Sequence, residues 1–418
     1  MQYQWEDYIL MARLVIPKHI KVPIWKIGYF IMLFSIFKPA YLPNTVLLYA
    51  YYAAEALSLG YLLVSTIGEE HLNKKLIFVF LLYYFILGFS TIINEGSLID
   101  LLEEVLTTFL VVLWMNKTVQ RDSHTCIGML MAMFEFLIYV NLITVLIYPN
   151  GLYRSIDAII SARYGWFLGH QTLFAMYAGP AVAIAALFAQ MNVSLISRTR
   201  SALLIIACIT QVIIMGSATN IACLLIIGVG TLAMTVARMK RFPYKLFLIA
   251  LAVIVIMVVI LQSTGFLEPF VTNYFHKTMT FTDRTYFWEK SWNIIKNNWL
   301  FGIGVHTDEG FKDLIGAIHA HDQYLQCLLE GGIPLLLVFL VIILQTFKKM
   351  RKFNHFLSGK VITSALVALL IQMIFEVYFH HTMGKTLIVL SYYLPYFYTA
   401  ASTKLEGNYA LRKNNFLR

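Results

Sequence analysis

Long apolar runs, separated by short polar stretches, make up most of this chain. A run of about 17 to 25 apolar residues is long enough to cross the hydrocarbon core of a bilayer as a helix. Such runs predict about twelve membrane spans, at residues 24–43, 44–66, 76–94, 97–115, 125–148, 166–190, 201–216, 219–237, 246–264, 332–347, 361–379 and 386–403. The predicted fold class is therefore all-α: a polytopic integral membrane protein in which residues 1–418 form a single membrane domain.

One long polar segment, residues 265–331, interrupts the pattern between the ninth and tenth predicted spans. Asp283 is suited to cap a helix there, because its carboxylate can accept hydrogen bonds from free backbone N–H groups. One face of that helix carries aromatic and apolar residues at helical spacing: Trp288, Trp292, Ile295 and Trp299. A tryptophan-rich face is typical of the boundary between membrane and water.

A second short helix is predicted in the same segment. The first helix should end at Gly302 and Gly304, and the second should begin near His321. It should stop at the pair Gly331 and Gly332, which is followed by a proline. His321 would then lie at a helix N-terminus.

The composition agrees with a membrane protein. Of the 418 residues, 59% are hydrophobic and only 13% are charged, and the mean hydropathy is +0.71. These values exclude an ordinary water-soluble domain. The four cysteines show no CxxC spacing, so the sequence indicates neither disulfides nor a zinc site.

The net charge of +10 is explained by membrane orientation rather than by nucleic-acid binding. Most of the 32 Lys and Arg residues fall on one side of the predicted spans, and basic residues are enriched in cytoplasmic loops. Both termini are therefore predicted to be cytoplasmic, and residues 265–331 to be extracytoplasmic. That outer segment nevertheless carries its own basic residues, for which an anionic ligand is the simplest reason: Lys277, Arg284, Lys290, Lys296 and Lys312.

Acidic residues within or at the ends of predicted spans are functional candidates, because burying a charge in a membrane is costly. They are Glu55, Asp100, Glu103, Glu104, Glu135 and Glu376. Asp100, Glu103 and Glu104 share a helical face within two turns of the outer boundary, so exposure to water is favoured over a function as their explanation. For Glu135 and Glu376, a pairing with a neighbouring helix is as consistent as transport chemistry.

The outer segment before the sixth predicted span reads RYGWFLGHQTLFA, residues 163–175. Arg163 and Trp166 could anchor the end of a helix among the lipid headgroups. Alternatively, Arg163 and His170 could contribute to a site at the mouth of that span.

The predicted outer loop carries R-x3-W at Arg284 and Trp288, then NNWLFGIG at residues 297–304. It continues with H-D-x-Y-L-Q-x-x-x-E-x-G-I at residues 321–333. These three motifs resemble those of the O-antigen ligase and Wzy-type polymerase superfamily of bacterial membrane glycosyltransferases, which usually has asparagine at the position of Asp322.

Two further family elements lie upstream. Residues 163–172 resemble one of them, an arginine followed by an "HPN"-like triplet at His170, Gln171 and Thr172. The other, a Ser-Arg pair, is imperfect, because this chain has Ser217 and Asn220 without an arginine.

The resemblance implies a GT-C-like architecture in the bacterial cytoplasmic membrane, with the active site in the large outer loop. It implies transfer of a glycan from an undecaprenyl-diphosphate carrier to an acceptor hydroxyl, without a cofactor or a metal. The implied partners are the lipid-linked oligosaccharide, membrane lipids, a flippase and a chain-length regulator, with no nucleic acid.

The same resemblance suggests roles for individual residues. A diphosphate leaving group needs charge stabilisation, which arginine provides through planar, bidentate donors; Arg284 and Arg163 are assigned this role. His321 is the expected general base for the acceptor hydroxyl, against the alternative of a capping or interfacial histidine. The supporting residues are Asp322, Trp288, His319, His170, Gly302 and Gly304.

Expectations for the other histidines follow from their positions. Asp322 or an upstream carbonyl should orient the ring of His321. On a helix, His319 would point away from His321, and zinc binding by the two would need further ligands. His380 and His381 are expected at the membrane interface.

The function predicted is a polymerase that joins lipid-linked repeat units into a capsule, an exopolysaccharide or an O-antigen. A ligase that transfers finished glycan to lipid A-core or protein shares the motifs, but the sequence shows no signature of such an acceptor. A transporter or flippase that uses Glu55, Glu135 and Glu376 as a relay is the alternative from another class.

Overall fold

A computed structural model describes residues 23–42, 44–67, 73–155, 163–192, 194–261 and 284–416, and for residues 155, 163 and 402–416 it describes the backbone alone. The described residues are mostly helical. The first eight helices are α1 (Ile24–Ile36), α2 (Thr45–Thr66), α3 (Lys74–Ile93), α4 (Leu98–Ile147), α5 (Phe174–Met191), α6 (Leu195–Met215), α7 (Ala218–Val236) and α8 (Tyr244–Val255). The last five are α9 (Arg284–Asn297), α10 (Asp308–Ile315), α11 (Gln323–Met350), α12 (Leu357–Gln372) and α13 (Thr382–Phe416).

The helices support a polytopic membrane protein. Among the described residues, seven helices are long and apolar enough to cross a membrane: Thr45–Thr66, Lys74–Ile93, Leu98–Ile147, Gln171–Met191, Leu195–Met215, Ala218–Val236 and Gln323–Phe353. Three apolar helices are shorter, at Ile24–Ile36, Tyr244–Ile260 and Leu357–Gln372. The predicted total of twelve spans, the extracytoplasmic loop and the cytoplasmic termini stay predictions.

Helix α4 is two antiparallel helices rather than one. Its 50 residues include a non-helical backbone conformation at Asp122. Sγ of Cys126 lies only 3.9 Å from Sδ of Met115, whereas eleven residues of straight helix would separate them by roughly 16 Å. The chain therefore reverses direction at Asp122, between the two spans predicted at 97–115 and 125–148.

A small antiparallel sheet follows α4, and the sequence did not predict it. Its order is β1 (Tyr153–Ser155), β2 (Arg163–Trp166) and β3 (Gly169–His170). The absence of a side chain at Gly165 makes room for the ring of Tyr153, which a Cβ would meet at 2.4 Å. The predicted start of the sixth span at residue 166 was wrong, because the chain is still extended there and α5 begins only at Phe174.

A break in α11 shapes the centre of the molecule. Gly332 has a φ of 65° and is not helical, and Pro334 has no N–H to donate to the carbonyl of Glu330. A loop fills the gap: the N–H of Ile303 donates to Leu329 O at 2.7 Å, and the N–H of Gly304 donates to Glu330 O at 3.0 Å. The predicted stop at Gly331, Gly332 and Pro334 is confirmed.

The glycine motif is what lets this loop approach so closely. Gly302 has a φ of 67°, and a Cβ there would lie 2.5 Å from the backbone carbon of Glu330. Gly304 has a φ of 80°, and a Cβ there would lie 2.6 Å from Cα of Thr91 in α3. The loop therefore packs between α3 and α11, and these contacts hold the start of the segment that leads to α10 in place.

Candidate active site

A cavity of about 1580 Å³ lies among α1, α2, α4, α9, α11 and the chain after α12. It is larger than the roughly 300 to 1,000 Å³ of most small-molecule pockets, so it has room for an extended substrate. Six histidines line it: His170, His306, His319, His321, His380 and His381. Residues of the segment from Arg284 to Gln326 and the ends of several apolar helices thus meet at one cavity.

His321 is held by a buried carboxylate. Nδ1 of His321 lies 3.2 Å from Oε1 of Glu376, whose side chain is 7% exposed. Carboxylates are hydrogen-bond acceptors, so this contact favours the tautomer with the proton on Nδ1 and leaves Nε2 as the basic nitrogen. The partner that contacts the ring is therefore Glu376, which follows α12, and not Asp322.

His319 meets the same carboxylate, so the expectation that it points away from His321 was wrong. Residues 316–322 are not helical, and α11 begins only at Gln323. Nε2 of His319 lies 3.3 Å from Oε1 of Glu376, and the centres of the two imidazole rings are 4.2 Å apart. Burial, followed by the neighbouring imidazole of His321, holds the pKa of His319 well below its usual range.

His319, His321 and Glu376 are close enough together to raise the question of a metal ion, since their ligand atoms lie within 4.8 Å of one another. The backbone N–H of His321, however, donates to Nδ1 of His319 at 3.1 Å. That bond places the ring proton of neutral His319 on Nε2, the nitrogen that faces Glu376. Nε2 then acts as a donor to the carboxylate and not as a metal ligand.

Arg284, the first residue of α9, completes the cluster. One of its terminal nitrogens lies 3.5 Å from Oε2 of Glu376, and Nε donates to the carbonyl of Phe375 at 2.9 Å. The guanidinium lines the cavity beside His321. The predicted base and the predicted diphosphate ligand are therefore brought together, and Glu376 joins them.

Asp322 caps α11, as its position before the helix suggests. Its Oδ1 accepts the N–H of Leu325 at 2.5 Å. Burial raises the pKa of Asp322 well above its usual range. A neutral carboxyl group caps the helix through its carbonyl oxygen in the same way as an asparagine, the residue usual in the family at this position.

Trp288 and His170, which were also predicted to support the site, lie in different places. Trp288 is fully buried and packs against Phe375, the residue before Glu376. It therefore supports the cluster from within the protein and does not lie at the membrane interface. His170 lines the cavity, and its Nδ1 lies 2.8 Å from Oγ1 of Thr172. Asn220 lies near this element, since its side chain donates to the carbonyl of Gln171 at 2.7 Å.

Two predicted features cannot be placed. Asp283 and the side chain of Arg163 lie outside what the structure describes. The helix that Asp283 was predicted to cap does form and begins at Arg284. The diphosphate role of Arg163 stays a prediction.

A second polar cluster lines the same cavity. Oε2 of Glu330 lies 3.1 Å from Nε2 of His380, and Nζ of Lys385 lies 3.4 Å from Oε1 of Glu104. Burial disfavours protonation of His380, but Glu104 and Glu330 outweigh it and raise the pKa of His380 to about 9. Burial, then the charge of His380, lowers the pKa of His381 to about 4.

These contacts correct two expectations and agree with one alternative for Glu135. His380 and His381 line the cavity rather than the membrane interface. Asp100, Glu103 and Glu104 also line it, and Glu104 is buried in an ion pair rather than simply exposed to water. Glu135, in contrast, pairs with a neighbouring helix, because Arg200 donates to both of its carboxylate oxygens.

Gln326 connects the two clusters. Its Oε1 accepts the backbone N–H of Ala320 at 2.7 Å, between the two site histidines. Its Nε2 donates to Oε1 of Glu330 at 2.9 Å. Gln326 and Glu330 were not predicted to belong to the site, although both lie in the motif at residues 321–333. Their spacing of four residues, which places them on one face of α11, is the signal that could have identified them.

The cavity carries more acidic than basic groups. Among the side chains that the structure describes, its lining includes seven carboxyl groups: Glu55, Asp100, Glu103, Glu104, Asp308, Glu330 and Glu376. The described Lys and Arg residues in the lining are Lys38, Arg284 and Lys312. Of the cations expected to bind an anion from the outer segment, Lys277 lies outside the described residues and Lys296 is exposed elsewhere on α9.

Fold and site together define a polytopic membrane protein with a His–Glu–Arg cluster, centred on the buried Glu376, that lines a large cavity. The family model described as O-antigen ligase matches residues 185–340, which include α9, α10, the two site histidines and the broken helix. The match confirms the resemblance to the O-antigen ligase and Wzy-type polymerase superfamily, and it supports a ligase- or polymerase-type membrane enzyme. No curated protein matches the chain.

Proposed function

We propose that this chain transfers a glycan from a polyprenyl-diphosphate carrier to an acceptor hydroxyl, and that it acts as a polymerase of lipid-linked repeat units. The observation that carries the proposal is the joint placement of His321, Glu376 and Arg284 on one cavity. The cluster contains a base, a carboxylate that orients it, and a cation, which are the groups that such a transfer requires.

The proposed reaction forms one bond and breaks another. Nε2 of His321 removes the proton of the acceptor hydroxyl, whose oxygen attacks the anomeric carbon of the donor sugar. The bond from that carbon to the diphosphate oxygen breaks, and the diphosphate leaves with the electron pair. Glu376 stabilises the imidazolium as it forms, and Arg284 stabilises the charge on the leaving group.

The cavity's excess of carboxyl groups fits a glycan substrate. Carboxylates accept hydrogen bonds from sugar hydroxyls. A cavity that binds mainly phosphate would be expected to carry more cations than carboxylates. In this proposal Arg284 binds the diphosphate, and the rest of the cavity binds the sugars. A ligase would use the same groups, so the preference for a polymerase rests on the absence of an acceptor signature in the sequence.

The transporter alternative gains no support from the acidic residues assigned to it. Glu55 and Glu376 line the cavity, but Glu135 is paired with Arg200 and is not among the described residues of the lining. The three groups therefore do not form a continuous relay.

The test is a comparison of glycan chain lengths in cells that lack the native chain and carry either the wild-type protein or a variant. His321→Ala should leave single lipid-linked repeats while the protein inserts normally. Arg284→Lys keeps the charge but loses the planar fork, and we expect a loss of roughly 10²- to 10³-fold in rate. Lys296→Met, an exposed change on the same helix, is the matched control.

The outcomes separate the candidates. Single repeats with His321→Ala support a polymerase, whereas normal chains that fail to reach their final acceptor indicate a ligase. Unchanged long chains on that acceptor would remove His321 from the mechanism.

A further inference from the structure

Glu55 is a buried carboxyl group that faces the cavity. It lies in the middle of α2, is 2% exposed, and lines the same cavity as His321. It makes no hydrogen bond or ion pair with any residue in the described part of the chain. An ionisable side chain in a membrane helix is costly, so a buried carboxyl group that forms no hydrogen bond with the described residues indicates a ligand.

Lys38, the cation whose charge acts on Glu55, is paired with a different carboxylate. Nζ of Lys38 lies 3.2 Å from Oε1 of Glu103 and 4.5 Å from the centre of the Tyr52 ring. Asp100 also lines this part of the cavity. The wall formed by α2, the start of α4 and the chain just after α1 therefore carries one cation, Lys38, among the described side chains. It carries four carboxyl groups: Glu55, Asp100, Glu103 and Glu104.

This charge pattern selects the chemistry of the ligand. On this wall the excess of carboxyl groups repels phosphate. Its one described cation, Lys38, is already paired with Glu103, which argues against an acidic sugar. A carboxylate accepts hydrogen bonds from two neighbouring hydroxyl groups, and an ammonium such as that of Lys38 can donate to a ring or hydroxyl oxygen. An uncharged, hydroxylated sugar meets both requirements.

We propose that Glu55, together with the ion pair of Lys38 and Glu103, forms a subsite that binds an uncharged sugar unit of the glycan substrate. This inference rests on the proposed function and deepens it. Arg284 would hold the diphosphate end of a substrate at one wall of the cavity, while Glu55 holds a sugar at another. Glu55 is thus a residue for substrate binding and does not take part in bond breaking.

The experiment uses the full-length chain in lipid nanodiscs, with polyprenyl-diphosphate-linked repeat units extracted from cells that lack it. The rate of chain extension against repeat-unit concentration gives kcat and KM. Glu55→Gln has nearly the same shape but no charge; because a hydrogen bond to a charged group contributes more than a neutral one, KM should rise about tenfold or more with kcat within about twofold. Glu95→Gln, an exposed carboxyl outside the cavity, should change neither value.

Each result bears on the inference. An unchanged KM for Glu55→Gln overturns it, and so does a fall in kcat at constant KM, which would indicate a proton-transfer role instead. If Glu55→Gln fails to insert, Glu103→Gln tests the same subsite with the same expected rise in KM. If the wild-type chain and His321→Ala are equally inactive, the proposed function is rejected together with the subsite. If His321→Ala alone is inactive and both subsite variants have normal kinetics, only the subsite is rejected.

Discussion

The backbone N–H of His321 donates a hydrogen bond to Nδ1 of His319, at a distance of 3.1 Å. This bond fixes the tautomer of His319, which can then donate from Nε2 to the carboxylate of Glu376. His321 reaches the same oxygen from the other side. One buried carboxylate thus orients two imidazole rings, and Nε2 of His321 stays free of that contact on a ring that lines the cavity.

Glu376→Gln should lower kcat by roughly 10²- to 10⁴-fold, because the amide cannot stabilise an imidazolium and no longer selects one tautomer of His321. Initial rates of chain extension at saturating substrate measure this effect. The exposed substitution Glu95→Gln is the control. A kcat equal to that of the wild-type protein would show that Glu376 has no part in orienting the base.

Asp322→Asn should leave activity and thermal stability nearly unchanged. Burial raises the pKa of Asp322 and so favours its uncharged form, and the carbonyl oxygen of asparagine can accept the same hydrogen bond from Leu325. Asp322→Ala removes the cap and should cost about 1 kcal/mol of stability. Thermal unfolding in detergent compares the two variants; a large loss of activity in Asp322→Asn would mean that the acid itself is required.

Gly302→Ala should destabilise the protein by about 1 to 3 kcal/mol, because the new Cβ would clash with the backbone of α11 at a positive φ. Gly128→Ala is the matched control, since a Cβ there meets nothing within 4 Å. The free energies of unfolding of the two variants provide the comparison. Equal stability would show that the loop is free to shift.

The stability of the protein should fall as the pH rises through about 9, because of His380. Its folded-state pKa is raised from 6.5 to about 9, so protonated His380 stabilises the folded state fully below pH 6.5, and this stabilisation is lost as the pH rises through the raised value. The groups that face it are Glu104, Glu330, Lys385 and His381. Melting temperatures of wild-type protein and His380→Asn between pH 6.5 and 9.5 should converge at the alkaline end; parallel curves would contradict the assignment.

The predicted orientation can be tested by labelling engineered cysteines. Lys296→Cys in α9 should react with a membrane-impermeant maleimide from outside the cell, and Lys349→Cys near the end of α11 should react only after lysis. Both positions are exposed, whereas the four native cysteines are all buried and should give a low background. The reverse pattern would place residues 265–331 in the cytoplasm.

Apolar run length predicted most of the helices, because crossing a bilayer imposes a strong and local requirement on the sequence. It missed the small sheet, whose strands are only two to four residues long and depend on the fit of Tyr153 over Gly165. Such a contact depends on packing across the turn and not on periodicity.

The site was predicted in part for a similar reason. His321 and Arg284 lie in short motifs that resemble a family, so the sequence could point to them. Glu376 lies 55 positions beyond His321, after a different helix, and only the packing of α12 against its neighbours brings the two together. The burial of His380 and Glu104 could not be predicted from the sequence for the same reason. Their partners, Glu330 and Lys385, are far away in the chain.

The reversal of α4 at Asp122 has a consequence for how the protein is made. Its two halves are joined without a loop, and Lys26 of α1 ties the turn through a 3.3 Å contact with Asp122. Because no loop connects the two halves, one half cannot remain outside the bilayer while the other crosses it. We therefore expect the insertion machinery to receive residues 98–147 as a pre-paired hairpin, and a charged substitution in one half to block the integration of both.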